Sequence, residues 1–460
     1  MKNKKILTML VTMFLVFGVF VGFKTPVKAA AQEVIVTGVL KSDNAVPYTS
    51  GVYSDLDAAL NNTFVDWDMN PTIRLLGDFT HNGDLMLPGL GSIGFDLNGY
   101  DLNIVGKLSI TKNSEIGFFY GKLTMESMYV ALDGGSYASF DINNYVDAIV
   151  YGEVRIEGNG ASTADLFVNV DYESTLIIYG DVVVSDVGQE TYTLKARGNA
   201  AIDVLGNFTS TGQGPYAQVN SSIYVDGNVN VSGEFGAHAY DGSEVYIKGN
   251  LTADDLGVRS IYGAANGPSS VYVDGTITAY DFAYIDGAVF GPNSNSVPTD
   301  LPGYLMYAGA DGSRLYNRAP EINWVSLTAN GASGTVTTTE LYLTFDDDPG
   351  TGLTLPKITL IGATAVSIDG TGNTRTLTIS NITVLNGEVV IVLISDIEGF
   401  DLQATADDMA VYDVPVYVRD GNGNKPNPNT GDISNTTIVM MLGLISLCCS
   451  AYVLKAKKRV

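Results

Sequence analysis

The octapeptides "YVDGNVNV" (Tyr224–Val231) and "YIKGNLTA" (Tyr246–Ala253) are two copies of a pattern that recurs along the middle of the chain. In each copy, a few apolar residues precede a variable residue, a glycine and an alternating segment. The glycines of this pattern are Gly106, Gly121, Gly152, Gly180, Gly206, Gly227, Gly249 and Gly275. After the first interval they recur about every 25 residues, a period typical of stacked repeats.

Each repeat predicts a β-branched strand, a glycine turn with positive φ and a second strand. Because one such coil cannot bury its apolar side alone, it must stack on the next coil. The expected fold is therefore all-β, with a parallel β-helix over residues 73–318. An antiparallel meander stays open as the alternative, with tight hairpin turns at Asp226-Gly227 and Asp274-Gly275.

The segment "TIRLLGDFTHNGDLMLPGLGSIGFDLNGYDLNI" resembles the opening coils of right-handed parallel β-helix domains in bacterial surface proteins. Ile73–Thr80 and Phe95–Ile104 carry the resemblance, which implies a right-handed coil. Upstream, "SDLDAALNNTF" predicts a short amphipathic helix with Ser54 as N-cap and Asp57 at the N3 position. Residues 32–72 are accordingly expected to form a cap region that closes the open end of the solenoid.

The glycine repeat stops at "YNRAPEINW", and residues 319–418 have the pattern of a β-sandwich. Its expected strands are Glu340–Phe345, Lys357–Ile361, Thr376–Ile382 and Glu388–Ser395. The segments "GTVTTTELYLTFDDD", "ITLIGAT", "TRTLTISNI" and "NGEVVIV" resemble the Ig-like modules of bacterial surface proteins. The triplet Asp346, Asp347 and Asp348 could ligate calcium, the one cofactor that the sequence suggests, or form a solvated acidic loop.

The N-terminus has the pattern of a secretory signal peptide over residues 1–31. Lysines precede an apolar run from Ile6 to Phe23, and small residues ending at Ala31 provide the expected cleavage site. An uncleaved membrane anchor is the alternative. The chain has a formal net charge of −25, so its surface should repel nucleic acid and anionic lipid. The same charge could attract cations or basic proteins, or serve solubility alone.

The C-terminus resembles the three-part cell-wall sorting signal of Gram-positive bacteria. The linker and motif occupy residues 419–431, and residues 432–460 hold an apolar transmembrane run with a basic tail. The motif residues are Asn427, Pro428, Asn429, Thr430 and Gly431. The resemblance implies that a sortase cuts after Thr430 and joins its carboxyl group to peptidoglycan. Asn427 replaces the leucine of the common LPxTG motif, which leaves the sortase class open, and a simple C-terminal membrane anchor is the alternative.

The residues that usually carry catalysis are scarce in this sequence. The two cysteines, Cys448 and Cys449, lie in the C-terminal apolar run, which excludes disulfides from the exported body. His81 and His238 have no metal-ligand spacing, and Asp254-Asp255 has no basic partner in sequence. The motifs of β-helix lyases and hydrolases do not occur. The sequence therefore favours a non-enzymatic binding, adhesive or structural role, with a wall-anchored polysaccharide lyase or glycoside hydrolase as the alternative.

Tyrosines recur beside the repeat glycines, at Tyr120, Tyr151, Tyr179, Tyr224, Tyr246 and Tyr272. If they stack on one outer face, they could bind sugar rings or simply pack successive coils. The expected partners are a sortase, peptidoglycan, and a glycan or a protein of a host or neighbouring cell, and nucleic acid is not expected. The expected location is the Gram-positive cell wall, after secretion and covalent anchoring.

Overall fold

The computed structural model describes residues 32–39, 47–63, 71–87, 91–111, 114–132, 137–159, 165–292, 301, 303–333, 335–403 and 410–418. The chain divides into two compact units between Ala319 and Pro320, and each unit has its own buried core. The predicted signal peptide with its cleavage site at Ala31 lies outside the described residues, as does the tail with the attachment residue Thr430.

The first unit begins with antiparallel strands at the end of a solenoid. Strand β1 (Val34–Val39) pairs antiparallel with β2 (Pro47–Tyr53) on one edge and with β3 (Thr72–Leu75) on the other. Strand β3 is the first strand of the parallel stack. The antiparallel pair therefore covers the strand edge that the stack would otherwise leave open at this end.

Helix α1 (Leu56–Thr63) confirms the predicted amphipathic helix. The buried residues of its apolar face are Leu56, Ala59 and Leu60. The predicted N-cap is wrong by one residue. Asp55, and not Ser54, caps the helix, because the Asp55 carboxylate accepts a hydrogen bond from the Asp57 N–H at 3.0 Å.

The rest of the first unit is a β-solenoid of about 8 turns with three parallel sides. The first side contains β3, β6 (Gly91–Asp96), the beginnings of β8 (Ser114–Ala131) and β9 (Tyr137–Val150), β11 (Asp165–Asp171), β14 (Leu194–Arg197), β17 (Tyr216–Gln218), β20 (Phe235–Tyr240), β23 (Leu256–Ile261) and β26 (Asp281–Ile285). The second side contains β4 (Phe79–Asn82), the beginning of β7 (Asp101–Thr111), the middle of β8, the end of β9, β12 (Thr175–Ile178), β15 (Ala201–Val204), β18 (Ser222–Val225), β21 (Glu244–Ile247), β24 (Ser270–Val273) and β29 (Arg314–Arg318). The third side contains β5 (Leu85–Leu87), the ends of β7 and β8, β10 (Val154–Glu157), β13 (Val182–Ser185), β16 (Phe208–Ser210), β19 (Val229–Val231), β22 (Leu251–Ala253) and β25 (Ile277–Thr278).

The strand pairing rejects the antiparallel meander. Strands β18 and β19, which flank Gly227, do not pair with each other, because each pairs in parallel with the equivalent strand of the next coil, β21 or β22. Residues at alternate positions of these strands point into the coil, where the apolar side chains of successive coils form one continuous core. Parallel stacking therefore buries the apolar side that a single coil would expose.

The repeat glycines stack in register, but for a different reason from the one that the sequence predicted. Gly106 has a φ of 154°, whereas the later repeat glycines do not adopt positive φ. A Cβ atom on Gly227 would lie 2.6 Å from the carbonyl oxygen of Gly206, and one on Gly249 would lie 2.5 Å from that of Gly227. Glycine is therefore required because the backbones of adjacent coils approach closely at this corner.

A polar ladder follows the glycine column. The residue after each glycine is Asp181, Asn207, Asn228, Asn250 and Thr276 in successive coils. The side-chain oxygen of each of the first four accepts a hydrogen bond from the backbone N–H of the next member, at 2.7, 2.9, 2.8 and 2.9 Å. Turn N–H groups that strand pairing does not satisfy are thereby bonded from coil to coil.

The C-terminal end of the first unit contains two antiparallel hairpins. Strand β26 pairs with β27 (Ala288–Phe290), and β28 (Tyr304–Ala308) pairs with β29. The parallel stack thus ends in a change of strand direction, as it does at its beginning.

The second unit is built from antiparallel sheets that share one core. One sheet contains β31 (Trp324–Ala329), β32 (Glu340–Phe345), β35 (Thr374–Ser380) and β34 (Thr364–Asp369), in that order. Another contains β33 (Ile358–Ile361), β36 (Val389–Ile394) and β38 (Ala410–Pro415). A parallel pair is formed by β30 (Glu321–Ile322) and β37 (Asp401–Leu402), and a short 3-10 helix spans Leu355–Lys357. Residues of both larger sheets, such as Leu343 and Val392, form the core.

Apart from α1 and the 3-10 helix, the secondary structure of the described residues is β. Within those residues, no helix is both long and apolar enough to cross a membrane. The predicted transmembrane run, in 432–460, lies outside them.

Candidate functional site: a tyrosine-flanked face of the solenoid

Four tyrosines form a stacked ladder along the second side of the solenoid. The parallel register places Tyr224, Tyr246, Tyr272 and Tyr316 at the same position of successive strands. The centroids of neighbouring rings lie 5.4, 5.9 and 4.8 Å apart. Tyr246 and Tyr272 therefore have another ring against each of their faces, which leaves no open face on which a sugar ring could stack.

Aspartates hold the hydroxyl groups of this ladder. Tyr224 donates to Asp226 at 2.8 Å and Tyr246 donates to Asp274 at 2.5 Å. Burial raises the pKa of both tyrosines, and the hydrogen bonds to the carboxylates raise it further. These contacts support the coil-packing interpretation, and sugar binding by Tyr224, Tyr246 and Tyr272 stays a prediction.

Sequence reasoning missed Tyr316 because the glycine repeat has ended by that point. Tyr316 is nevertheless the ladder residue of β29, which pairs with β24. The signal that could have found it is the order of an apolar residue followed by tyrosine in "RLYNR", which also occurs in the ladder strands "SIYV" and "SVYV".

Tyr151 and Tyr179 form a separate stacked pair at the C-terminal edge of the second side. Their ring centroids lie 5.8 Å apart, and the residues are 58% and 41% exposed. They lie immediately before their repeat glycines, whereas Tyr224 lies three residues before Gly227. This difference of two residues places the tyrosines in two different columns of the second side, so they do not form one continuous stack.

Tyr120 belongs to a third group, in the corner at the opposite edge of the second side. This corner contains a turn with positive φ, and Tyr120, Tyr145 and Tyr172 occupy it in three successive coils with φ of 56°, 67° and 48°. They are 50%, 62% and 56% exposed. Sequence reasoning missed Tyr145 and Tyr172 because they are remote from the repeat glycines.

The two exposed groups flank one stretch of the second side. We name it the tyrosine-flanked face, and it consists of Tyr120, Tyr145 and Tyr172 at one edge, Tyr151 and Tyr179 at the other, and Asp147, Thr175, Ile149 and Ile177 between them. The strands position these residues because the intervening side chains, such as Ala148 and Leu176, are buried in the core. The Thr175 hydroxyl donates to the Asp147 carboxylate at 2.7 Å. The face thus combines open aromatic rings, aliphatic side chains and hydrogen-bonding groups.

The first side carries a buried cluster around His238. Tyr216 and His238 occupy equivalent positions of adjacent coils, and their rings stack at 4.5 Å. Tyr192, from the segment before β14, covers them, and its hydroxyl lies 2.9 Å from Nδ1 of His238. His238 is 5% exposed, and its Nε2 has no hydrogen-bond partner within the described part of the chain. The histidine is therefore enclosed by protein rather than presented to a substrate.

We expect acid to destabilise the first unit through His238. Burial and, to a smaller extent, the charge of the nearby Arg259 lower the pKa of His238 to about 3. Because the folded pKa lies below the unfolded value, stability is full above pH ~6.5 and declines as the pH falls, by about 1.4 kcal/mol per unit. Thermal unfolding from pH 7 to 4 measures the effect, and His238→Gln removes this part of the pH dependence.

The comparison with His238→Gln is needed because other groups titrate in the same range. Burial raises the pKa of Asp141 to about 6. Protonation of this carboxyl group therefore stabilises the fold as the pH falls, which opposes the effect of His238. Parallel pH profiles of the parent and His238→Gln would contradict the prediction.

The acidic triplet of the second unit is engaged within the protein. Asp346 accepts hydrogen bonds from the backbone and side chain of Asn323 at 2.8 and 2.7 Å. Asp348 accepts one from the buried Arg375 at 2.6 Å, and this contact lowers the pKa of Asp348. Among the described residues, no group of three or more His, Cys, Asp or Glu is arranged to hold a metal ion. Calcium binding at Asp346, Asp347 and Asp348 stays a prediction.

The remaining candidates show no convergence of functional groups. His81 is largely buried, and its Nε2 lies 3.3 Å from the carbonyl oxygen of Asp84. Asp254 and Asp255 are exposed neighbours in the turn between β22 and β23. The tyrosine-flanked face is therefore the strongest candidate site.

Comparison with known proteins found no family model, curated protein or solved structure that matches the chain.

Proposed function

We propose that this chain is a secreted protein that a sortase attaches to Gram-positive peptidoglycan, and that its solenoid has a non-enzymatic binding role. The observation that carries the binding role is the tyrosine-flanked face, where exposed aromatic rings border a sheet whose backbone is fixed by neighbouring coils. Exposed apolar patches on rigid elements are typical of interaction sites. The pattern of the first 31 residues and the motif Asn427–Gly431 support export and anchoring.

Two finer features belong to the same proposal. The coil of the solenoid is right-handed, and the second unit is an Ig-like module that acts as a spacer between solenoid and wall. Its two antiparallel sheets around one core support this second feature. The alternative of a polysaccharide-cleaving enzyme has less support, because His238 is 5% exposed and enclosed by aromatic side chains.

Replacing the predicted attachment residue tests the anchoring. In Thr430→Ala, we expect the protein to move from the cell-wall fraction to the membrane or the medium, because the carboxyl group to be transferred belongs to Thr430. Fractionation after muramidase digestion, followed by immunoblotting, measures the distribution. Asn429→Ala is the matched control, since the variable position of the motif is expected to tolerate substitution. Unchanged wall retention of Thr430→Ala would reject sortase anchoring.

A further inference from the structure

The corner tyrosines occupy a backbone conformation that disfavours them. Positive φ suits Gly, Asn and Asp, and a bulky side chain there is an outlier that costs stability. Most of the corresponding turns in other coils follow this rule and contain Asn98-Gly99, Gly198-Asn199 and Asp241-Gly242, whereas Val219 occupies one of them with a φ of 58°. Three successive coils thus place a large, exposed aromatic residue where a small polar one would be more stable. Strain of this kind accumulates at functional sites.

These three tyrosines are at least half exposed, so a part of each ring can contact a ligand. In the described part of the chain, no other aromatic ring stacks on Tyr120, Tyr145 or Tyr172, in contrast to the ladder. They therefore take no part in the aromatic stacking that joins successive coils in the ladder. Their hydroxyl groups and flat apolar rings are the features by which aromatic side chains bind amphipathic ligands.

The floor between the two tyrosine edges has the mixed chemistry of a carbohydrate site. Ile149 and Ile177 are partly exposed and lie beside each other in register. Asp147 and Thr175 lie beside them on the same strands. A pyranose ring presents apolar C–H groups on its faces and hydroxyl donors around its edge. Aromatic and aliphatic surfaces complement the C–H faces of the sugar, and adjacent carboxylates accept hydrogen bonds from its hydroxyl groups.

The negative charge around the tyrosine-flanked face favours neutral over anionic carbohydrates. The exposed carboxylates of Glu126, Asp147 and Glu173 lie on or beside it, and Lys122 is the nearby exposed cation on the same side. Glu153 is also nearby, but its charge is paired with Arg155 at 2.9 Å. This excess of negative charge repels polyuronates and sulfated chains and favours neutral ones.

The spacing of the coils fits an extended polymer. Neighbouring parallel strands lie ~4.8 Å apart, which is close to the advance of a polysaccharide by one sugar ring. We infer that the tyrosine-flanked face binds an extended, neutral polysaccharide along the solenoid axis, with Tyr145 and Tyr172 as principal stacking residues. The inference rests on the proposed binding role of the solenoid and is independent of the anchoring.

The test uses a variant that should fold better than the parent. In the full chain, Tyr145→Asn/Tyr172→Asn removes both rings and places in the turn a residue that accepts positive φ. We expect its melting temperature to rise and its affinity to fall about tenfold or more. Calorimetric titration with cellohexaose, xylohexaose, chitohexaose and hexagalacturonate measures affinity, and the parent should bind at least one neutral hexasaccharide more tightly than hexagalacturonate.

Val219→Asn is the matched control. Val219 occupies the same turn in a later coil, with a φ of 58°, and lies outside the tyrosine-flanked face. The Val219→Asn variant should be more stable than the parent, because asparagine accepts positive φ better than valine. Its affinity for the hexasaccharides should equal that of the parent. The inference is overturned if the parent binds no neutral hexasaccharide, if it prefers hexagalacturonate, or if the double variant binds as tightly as the parent. Wall retention of the double variant should stay unchanged, so failure of glycan binding is distinguishable from failure of anchoring at Thr430.

Discussion

Replacing Val225, Ile247 and Val273 together by aspartate should unfold the solenoid and leave the second unit folded. These three side chains are 0% exposed and lie beside one another in the core, at equivalent positions of successive coils. A buried, unpaired carboxylate costs several kcal/mol, and a whole domain is stable by only ~5–15 kcal/mol. Three of them in adjacent coils therefore exceed the stability of the first unit.

Scanning calorimetry of the full chain measures this effect. The parent should show two transitions, because each unit has its own core, and the triple variant should show one. The matched control is Ser222→Asp/Ser270→Asp, which adds carboxylates to the outer face of the same strands. It should retain both transitions. Loss of all cooperative melting in the triple variant would mean that the two units fold together.

Adding one methyl group at the glycine column should also destabilise the solenoid strongly. In Gly227→Ala/Gly249→Ala, each new Cβ would lie 2.5–2.6 Å from a backbone oxygen of the preceding coil. The oxygen belongs to the stacked backbone and cannot move away as a flexible side chain would. We expect a loss of about 1–3 kcal/mol per site, measured by denaturant unfolding.

Gly51→Ala is the control for the glycine column. A Cβ atom on Gly51 meets no heavy atom within 4 Å, and this glycine also lies in a strand. Its stability should match that of the parent. Equal stability of the Gly227→Ala/Gly249→Ala variant would show that adjacent coils can separate at this corner without cost.

The sequence predicted the positions of strands and repeat glycines better than it predicted why glycine is required at those positions. The predicted strand Glu340–Phe345 agrees with β32 at both ends, because its alternation of apolar and polar residues is local information. The identity of the column glycines was also predictable from their recurrence. Their role was not predictable, because glycine is demanded both by a positive φ and by the close approach of another coil. The close approach depends on residues about 22 positions away, which the local sequence does not reveal.

The candidate site was only half predictable for a related reason. Tyr151 and Tyr179 follow the strand pattern and were found beside their glycines. Their separation from the Tyr224 column follows from their different distance to the repeat glycine, which the sequence already shows but which the prediction did not use. Tyr145 could have been recognised only by aligning its coil with those that have Asn or Gly in the same turn. The enclosure of His238 depends on Tyr192, 46 residues away.

The polar ladder after the glycine column has a consequence for how such a chain can change length during evolution. Asn207, Asn228 and Asn250 each accept a bond from the coil after them, so each coil offers its neighbours the same chemistry. An in-frame duplication or loss of the segment from one glycine to the next, such as Gly227 to Lys248, would join matching ends. The antiparallel strands at both termini would remain intact. Recombination can thus lengthen or shorten the solenoid by whole coils.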